Sequence, residues 1–119
     1  MWESWGAISE DGTVSTYSYN HYAFGCVGEW MARQIGGLQM IEPGYKAFRV
    51  KPSFASGLSH ALVSEDTPYG VASVDWRVAN GTAVVHVEVP ANARAVIDIP
   101  GVPERTVGSG SYDFTADLR

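Results

Sequence analysis

The chain has only one cysteine, Cys26, which excludes an internal disulfide among its 119 residues. Charge is also sparse, at 18% of residues, and basic charge is sparser: eight Lys and Arg against thirteen Asp and Glu leave a net charge of -5. A polyanion is repelled on average by such a surface, so nucleic acid is set aside as a partner. No apolar run approaches the length of a membrane span, and no basic-then-apolar leader opens the chain. No membrane partner is therefore expected. The cytoplasm is the default compartment, with a secreted or periplasmic location left open if the chain belongs to a longer protein. There is no glycine-rich phosphate loop, no G-x-S-x-G elbow and no basic stripe. His21, His60 and His86 are too far apart to form a short ligand motif, so no metal site and no cofactor are expected.

What the chain does have is apolar residues, 45%, and aromatics, 12%, enough for one modest core and the reverse of a disordered composition. Its acidity is uneven. From Met1 to Gly44 five acids (Glu3, Glu10, Asp11, Glu29, Glu42) face one base, Arg33, whereas residues 45–119 hold eight acids and seven bases. The opening segment thus suits a neutral or cationic ligand better than a phosphate.

That segment also concentrates the chemistry. Trp2-Glu3-Ser4-Trp5 places a carboxylate between two indoles, and Asn20-His21-Tyr22-Ala23-Phe24-Gly25 places a histidine at the mouth of a helix. Indole faces desolvate a neighbouring acid and are flat surfaces on which sugar rings stack. Taken singly, Glu3 reads as a surface glutamate and His21 as a polar residue near a cap. Taken together they gain weight, because the Gly-, Ser- and Thr-rich stretch Gly6–Asn20 can double back and bring Glu3, Trp5 and His21 into one wall, with Tyr17 and Tyr19 as anchors.

From His21 the apolar positions Ala23, Cys26, Val27, Trp30, Met31, Ile35 and Leu38 fall at three-and-four spacing, with Gln34 the one polar interruption. This predicts a helix capped by Asn20 and stopped at Gly36-Gly37, with Cys26 on its buried stripe. Glu29 and Arg33 form a supporting i,i+4 pair. Gly25 and Gly28 each cost roughly 1 kcal/mol in a helix, so close packing by another helix is expected to compensate. No second convincing helix follows, which points to a truncated helical domain.

Glu42-Pro43-Gly44-Tyr45 reads as a turn and a boundary, dividing the chain into a helical part, 1–42, and a β-part, 43–119. Strands are expected over Lys46–Lys51 and Leu58–Ser64, then with Ala72, Val74, Trp76 and Val78 on one face. Asn80-Gly81 is the strongest hairpin signal. Beyond it Ala83, Val85, Val87 and Val89, then Ala95, Ile97 and Ile99, and finally Val107–Thr115 complete the series. The fold class is mainly β: an antiparallel β-sandwich with Trp76 in its core and His60 and His86 on solvent faces, preceded by one long helix.

The runs already quoted, joined to Val27-Gly28-Glu29-Trp30, Pro43-Gly44-Tyr45-Lys46, Arg49-Val50-Lys51-Pro52, Gly57-Leu58-Ser59-His60-Ala61 and Thr67-Pro68-Tyr69-Gly70, make nearly the whole chain resemble the C-terminal end of bacterial α-L-rhamnosidases of glycoside hydrolase family 78. The resemblance implies an (α/α)6 catalytic barrel followed by a β-sandwich, and hydrolysis of terminal α-L-rhamnosyl groups with inversion by two carboxylic acids. It implies that Glu3 is the general base and that His21, with Trp2 and Trp5, lines the sugar subsite. In family members the general acid lies upstream of the matching stretch, so the 119 residues alone are expected to be inactive. A non-catalytic module stays open beside this reading, either sugar-binding, with Trp2, Trp5 and Tyr17 as a platform, or purely structural. So does an assembly role, in which the unmatched helix face makes a homodimer.

Overall fold

The computed structural model describes residues 2–119, with Phe24 described by its backbone only. Met1, at the head of the tryptophan-rich run, and the Phe24 side chain lie outside the described residues. The chain forms two compact units, Met1–Trp30 and Met31–Arg119.

In the first unit Ser4 caps a 3-10 turn, Trp5–Ala7, by accepting the Gly6 N–H on its Oγ at 3.1 Å. Asp11 folds the next turn by accepting the Thr13 N–H at 2.9 Å. The stretch is ordered around one carbonyl: Ala7 O accepts from the Ser15 N–H, the Ser15 hydroxyl and the Tyr19 hydroxyl. Tyr19 is thus an anchor, as its aromatic character within a polar stretch suggests. Helix α1 then spans Tyr22–Trp30, and its described side chains are exposed. Cys26 is exposed too, its thiol turned to the Ala23 carbonyl at 3.1 Å, so the expected burial of its stripe is not observed. Among the described residues nothing stands within 4 Å of where a Cβ on Gly25 or Gly28 would lie.

The helical run stops at Gly36-Gly37, as the sequence predicts, but changes its winding on the way. The second unit begins with a π-helical segment, Met31–Gly36, and Leu38 belongs to strand β1, Leu38–Met40. The reason for the stop lies in the two glycines. A Cβ on Gly36 would sit 2.7 Å from Val63 Cγ1, and one on Gly37, at φ +88°, would sit 2.3 Å from the Pro52 nitrogen. The Val63 side chain crowds Gly36 and the Lys51–Pro52 backbone crowds Gly37, so neither position has room for a Cβ, and the positive φ of Gly37 ends the helix.

The remaining strands are β2 (Ala47–Val50), β3 (His60–Thr67), β4 (Gly70–Ala79), β5 (Thr82–Val89), β6 (Arg94–Ile97), β7 (Arg105–Val107) and β8 (Gly110–Asp117). They build two four-stranded sheets, β1-β2-β6-β7 and β3-β4-β5-β8. The expected sandwich forms, with period-two burial: Phe48 and Val50 from one sheet meet Val74, Trp76, Val85, Val87 and Phe114 from the other. The Asn80-Gly81 hairpin turns with both residues at positive φ, 52° and 77°, the geometry that matches strand twist. One pairing departs from the antiparallel pattern. β6 lies parallel to β2, because the chain leaves the first sheet to make β3, β4 and β5 and re-enters beside β2 in the same direction.

The units part between Trp30 and Met31, ahead of the turn at Glu42-Pro43. The π-helical segment goes with the sheets because Trp76, fully buried, donates its indole N–H to Ile35 O at 3.1 Å, and Leu38 is itself buried. Charged pairs reinforce the first sheet: Asp98 on the link after β6 takes Arg49 of β2 at 2.9 Å and Lys51 at 2.8 Å. These contacts hold the carboxyl of Asp98 below its ordinary pKa, the Lys51 hydrogen bond being the main cause. Arg94 pairs with Glu42 across the strand ends.

Candidate functional site

The first unit brings Glu3 and His21 together. The Glu3 N–H donates to Ser18 O at 2.8 Å, and the Ser18 N–H donates to Glu3 Oε2 at 2.8 Å, so the chain does double back and the carboxylate is held by a backbone donor. His21, directly ahead of α1, places Nδ1 3.9 Å from the same Oε2. That is ion-pair range but longer than a hydrogen bond, and it leaves room for adjustment around a ligand. The His21 and Glu3 side chains are 34% and 38% exposed, within reach of a solute while partly fixed by the fold.

The two indoles behave differently from each other. Trp2, 43% exposed, packs edge-on against Tyr19 with ring centroids 6.1 Å apart. Trp5, on the 3-10 turn, is 95% exposed. The carboxylate is therefore held by the Ser18 backbone rather than boxed between two indole faces. An exposed indole can still meet the apolar face of a sugar ring.

Sequence reasoning missed a second polar cluster, on the outer face of β4, β5 and β8. His86 Nδ1 lies 2.7 Å from Asp113 Oδ1 and its Nε2 lies 2.8 Å from Glu88 Oε1, while the Ser111 hydroxyl donates to the same Glu88 oxygen at 2.6 Å. Asp113 and then Glu88 raise the His86 pKa, and Ser111 and then His86 lower that of Glu88. His86 does face solvent, as read from its strand, but both ring nitrogens are engaged. The period-two spacing of His86 and Glu88 is visible in the sequence, whereas the β5–β8 register that delivers Asp113 is not. Ser111 bonds Glu88 and not the imidazole, so the group is a clamp and not a nucleophile–base pair.

Comparison with known proteins places the chain. Residues 37–113 match the family model of the bacterial alpha-L-rhamnosidase C-terminal domain. The chain belongs to this family. A curated alpha-L-rhamnosidase of Formosa agariphila is 33% identical over 97% of the chain, and one of Streptomyces avermitilis is 33% identical over the same share. The chain spans 13% of the length of each. Among solved structures, the native α-L-rhamnosidase of Aspergillus terreus is 35% identical with a TM-score of 0.76, covering 97% of this chain and 14% of that one. The Streptomyces avermitilis enzyme complexed with L-rhamnose is 32% identical with a TM-score of 0.78, covering 98% and 14%. The family match begins at residue 37, so the sandwich carries it, while the 97% of the chain shared with the individual relatives extends upstream of it to include His21.

Proposed function

We propose that this chain is the C-terminal part of an inverting α-L-rhamnosidase in which Glu3 is the general base. The Glu3 carboxylate takes a proton from water, and the water oxygen bonds to the anomeric carbon on the face opposite the leaving group. The bond to the glycosidic oxygen breaks, and a second carboxylic acid protonates that oxygen. Inversion requires the two carboxyls to stand roughly 6.5 to 9.5 Å apart to admit the water. The acid belongs to the part of the enzyme outside the 13% shared with the curated relatives. Ser18 holds the base in place, His21 meets a sugar hydroxyl, and Trp2 and Trp5 offer ring faces. The observation that supports this reading is the convergence of Glu3 Oε2 and His21 Nδ1 at 3.9 Å, both partly open to solvent.

The test is hydrolysis of an aryl α-L-rhamnoside by the full-length protein carrying this segment, by its Glu3→Gln variant, and by the 119-residue chain. Activity is expected in the unaltered full-length protein alone. Undiminished turnover in Glu3→Gln would remove Glu3 from the role.

A second reading, a sugar-binding module without catalysis, is favoured by the 95% exposure of Trp5. It predicts binding of L-rhamnose by the chain, lost in Trp5→Ala, with no hydrolysis by the full-length protein.

A further inference from the structure

An open groove of about 580 Å³ lies in the second unit, where the π-helical segment, β1, the residues after β2 and the chain end converge. That volume falls within the range of about 300–1,000 Å³ for small-molecule sites. Gln34, Gln39, Lys51 and Ser53 supply its polar groups, and Phe54 and Leu118 contribute to its apolar wall.

The walls are tied to one another. The Lys51 N–H donates to Gly37 O at 2.8 Å and the Ser53 N–H to Ile35 O at 3.4 Å, while Gly37 packs against the Lys51–Pro52 backbone. Phe54 is braced edge-on against the buried Trp76 ring, centroids 5.4 Å apart. Gln34, the one polar residue on the helix's apolar spacing, lies in the π-helical segment, and such local widening of a helix recurs at functional sites.

The polar groups have spare hydrogen-bonding capacity in this prebuilt shape. The Gln34 amide and the Ser53 hydroxyl have no partner among the described residues. Gln39 donates to Arg33 O, which leaves its amide oxygen to accept. Asp98 bridges Lys51 at 2.8 Å and Arg49 at 2.9 Å, and Arg49 also meets Glu104 at 3.4 Å, so two cations stand against two carboxylates and the group has no net charge to favour an anionic ligand. Amide donors and acceptors beside a hydroxyl match neighbouring ring hydroxyls, and a phenyl with aliphatic neighbours matches the C–H face of a pyranose.

We propose that this groove is a binding subsite for a neutral pyranose unit, built from none of the residues assigned to the Glu3 site. The proposal does not rest on the role of Glu3, and a longer glycoside could engage the groove through a sugar that is not cleaved.

The test uses the only two glutamines in the chain, both of which line the groove. Their side-chain amide resonances are followed while the 119-residue chain is titrated with L-rhamnose and with the neutral disaccharide rutinose. Saturable movement of both amides is expected with at least one of the two sugars, and it should persist in the Glu3→Gln chain. In Gln34→Ala/Ser53→Ala, which removes two exposed or half-buried groups without breaking a hydrogen bond, the Gln39 amide should report at least tenfold weaker binding. Any of three results would overturn the proposal: no saturable movement with either sugar, undiminished binding in the double variant, or loss of binding in Glu3→Gln. Tighter binding of glucuronate than of both neutral sugars would also overturn it, because the groove would then select for negative charge.

Discussion

His86 and Asp113 stand directly opposite each other in the β5–β8 register, and their side chains close the gap to 2.7 Å. Asp75 faces His86 from β4 on the other side, Glu88 holds its second nitrogen from the same strand, and Arg77 lines the same hollow. An imidazole held between carboxylates thus links the edge strand β8 to its neighbour.

Stability should therefore depend on pH through this clamp. The folded-state pKa of His86 is raised, so its contribution is fully present below the unfolded value, about 6.5, and is lost as pH rises through the higher folded value. Glu88 is shifted the other way, and its contribution is present above its unfolded value and lost as pH falls through the depressed one. Because the side chains are about two-fifths exposed, the pair contributes in the range of solvent-exposed ion pairs, about 0.2–1 kcal/mol. Thermal melting across pH 5 to 9, roughly the window in which histidine titrates, should show a loss on the alkaline side in the wild type. That loss should shrink in His86→Asn.

Gly37→Ala should destabilise the second unit. The new Cβ would lie 2.3 Å from the Pro52 nitrogen at a φ of +88°, which combines a backbone clash with left-handed strain. A cost on the order of 3 kcal/mol is expected, read as a lower urea midpoint. Gly25→Ala, with open space around it and helical backbone, should be neutral or stabilising by up to about 1 kcal/mol.

Trp76→Phe should also be costly. It removes volume from the sandwich centre and leaves the Ile35 carbonyl without its indole donor. Ile35 O then keeps only the Ser53 N–H at 3.4 Å, so about 0.5–1.5 kcal/mol is expected from the lost hydrogen bond in addition to the lost packing, measurable by urea denaturation. Gln39 should then exchange its side-chain amide protons faster, since it is bonded to Arg33 O on the same segment.

In the full-length protein, Glu3→Gln should lower kcat on an aryl rhamnoside by about 10²–10⁴-fold, the usual contribution of a positioned general base. His21→Ala should act more on KM than on kcat if His21 holds the sugar. Steady-state kinetics on both variants separates the two roles.

The sandwich was legible in the sequence because its inner face repeats with period two and its turns carry their own chemistry, Asn80-Gly81 above all. The parallel pairing of β2 with β6 was not, since no local pattern states which distant strand Ala47 will meet. The stop at Gly36-Gly37 was legible from the two glycines, whereas the approach of Val63 and Pro52 that enforces it, and the change to π winding at Met31, leave no mark in the apolar spacing. Cys26 was placed on a buried stripe because the spacing assumes a covering layer that the described residues do not provide. At the candidate site the pairing of Glu3 with His21 could be inferred from residue type, but the Ser18 backbone that holds the carboxylate could not, because main-chain donors leave no trace in a sequence.

The side-by-side run of β2 and β6 also orders the folding of the chain. β3, β4 and β5 pair through short connections and can assemble early, whereas the first sheet must wait for Arg94 to arrive alongside Ala47. A nascent chain that stops short of Arg94 has only the β1–β2 ribbon where that sheet should be, and an isolated two-stranded ribbon is marginal in water. Closure of the sandwich is thus deferred until the last quarter of the chain has been made.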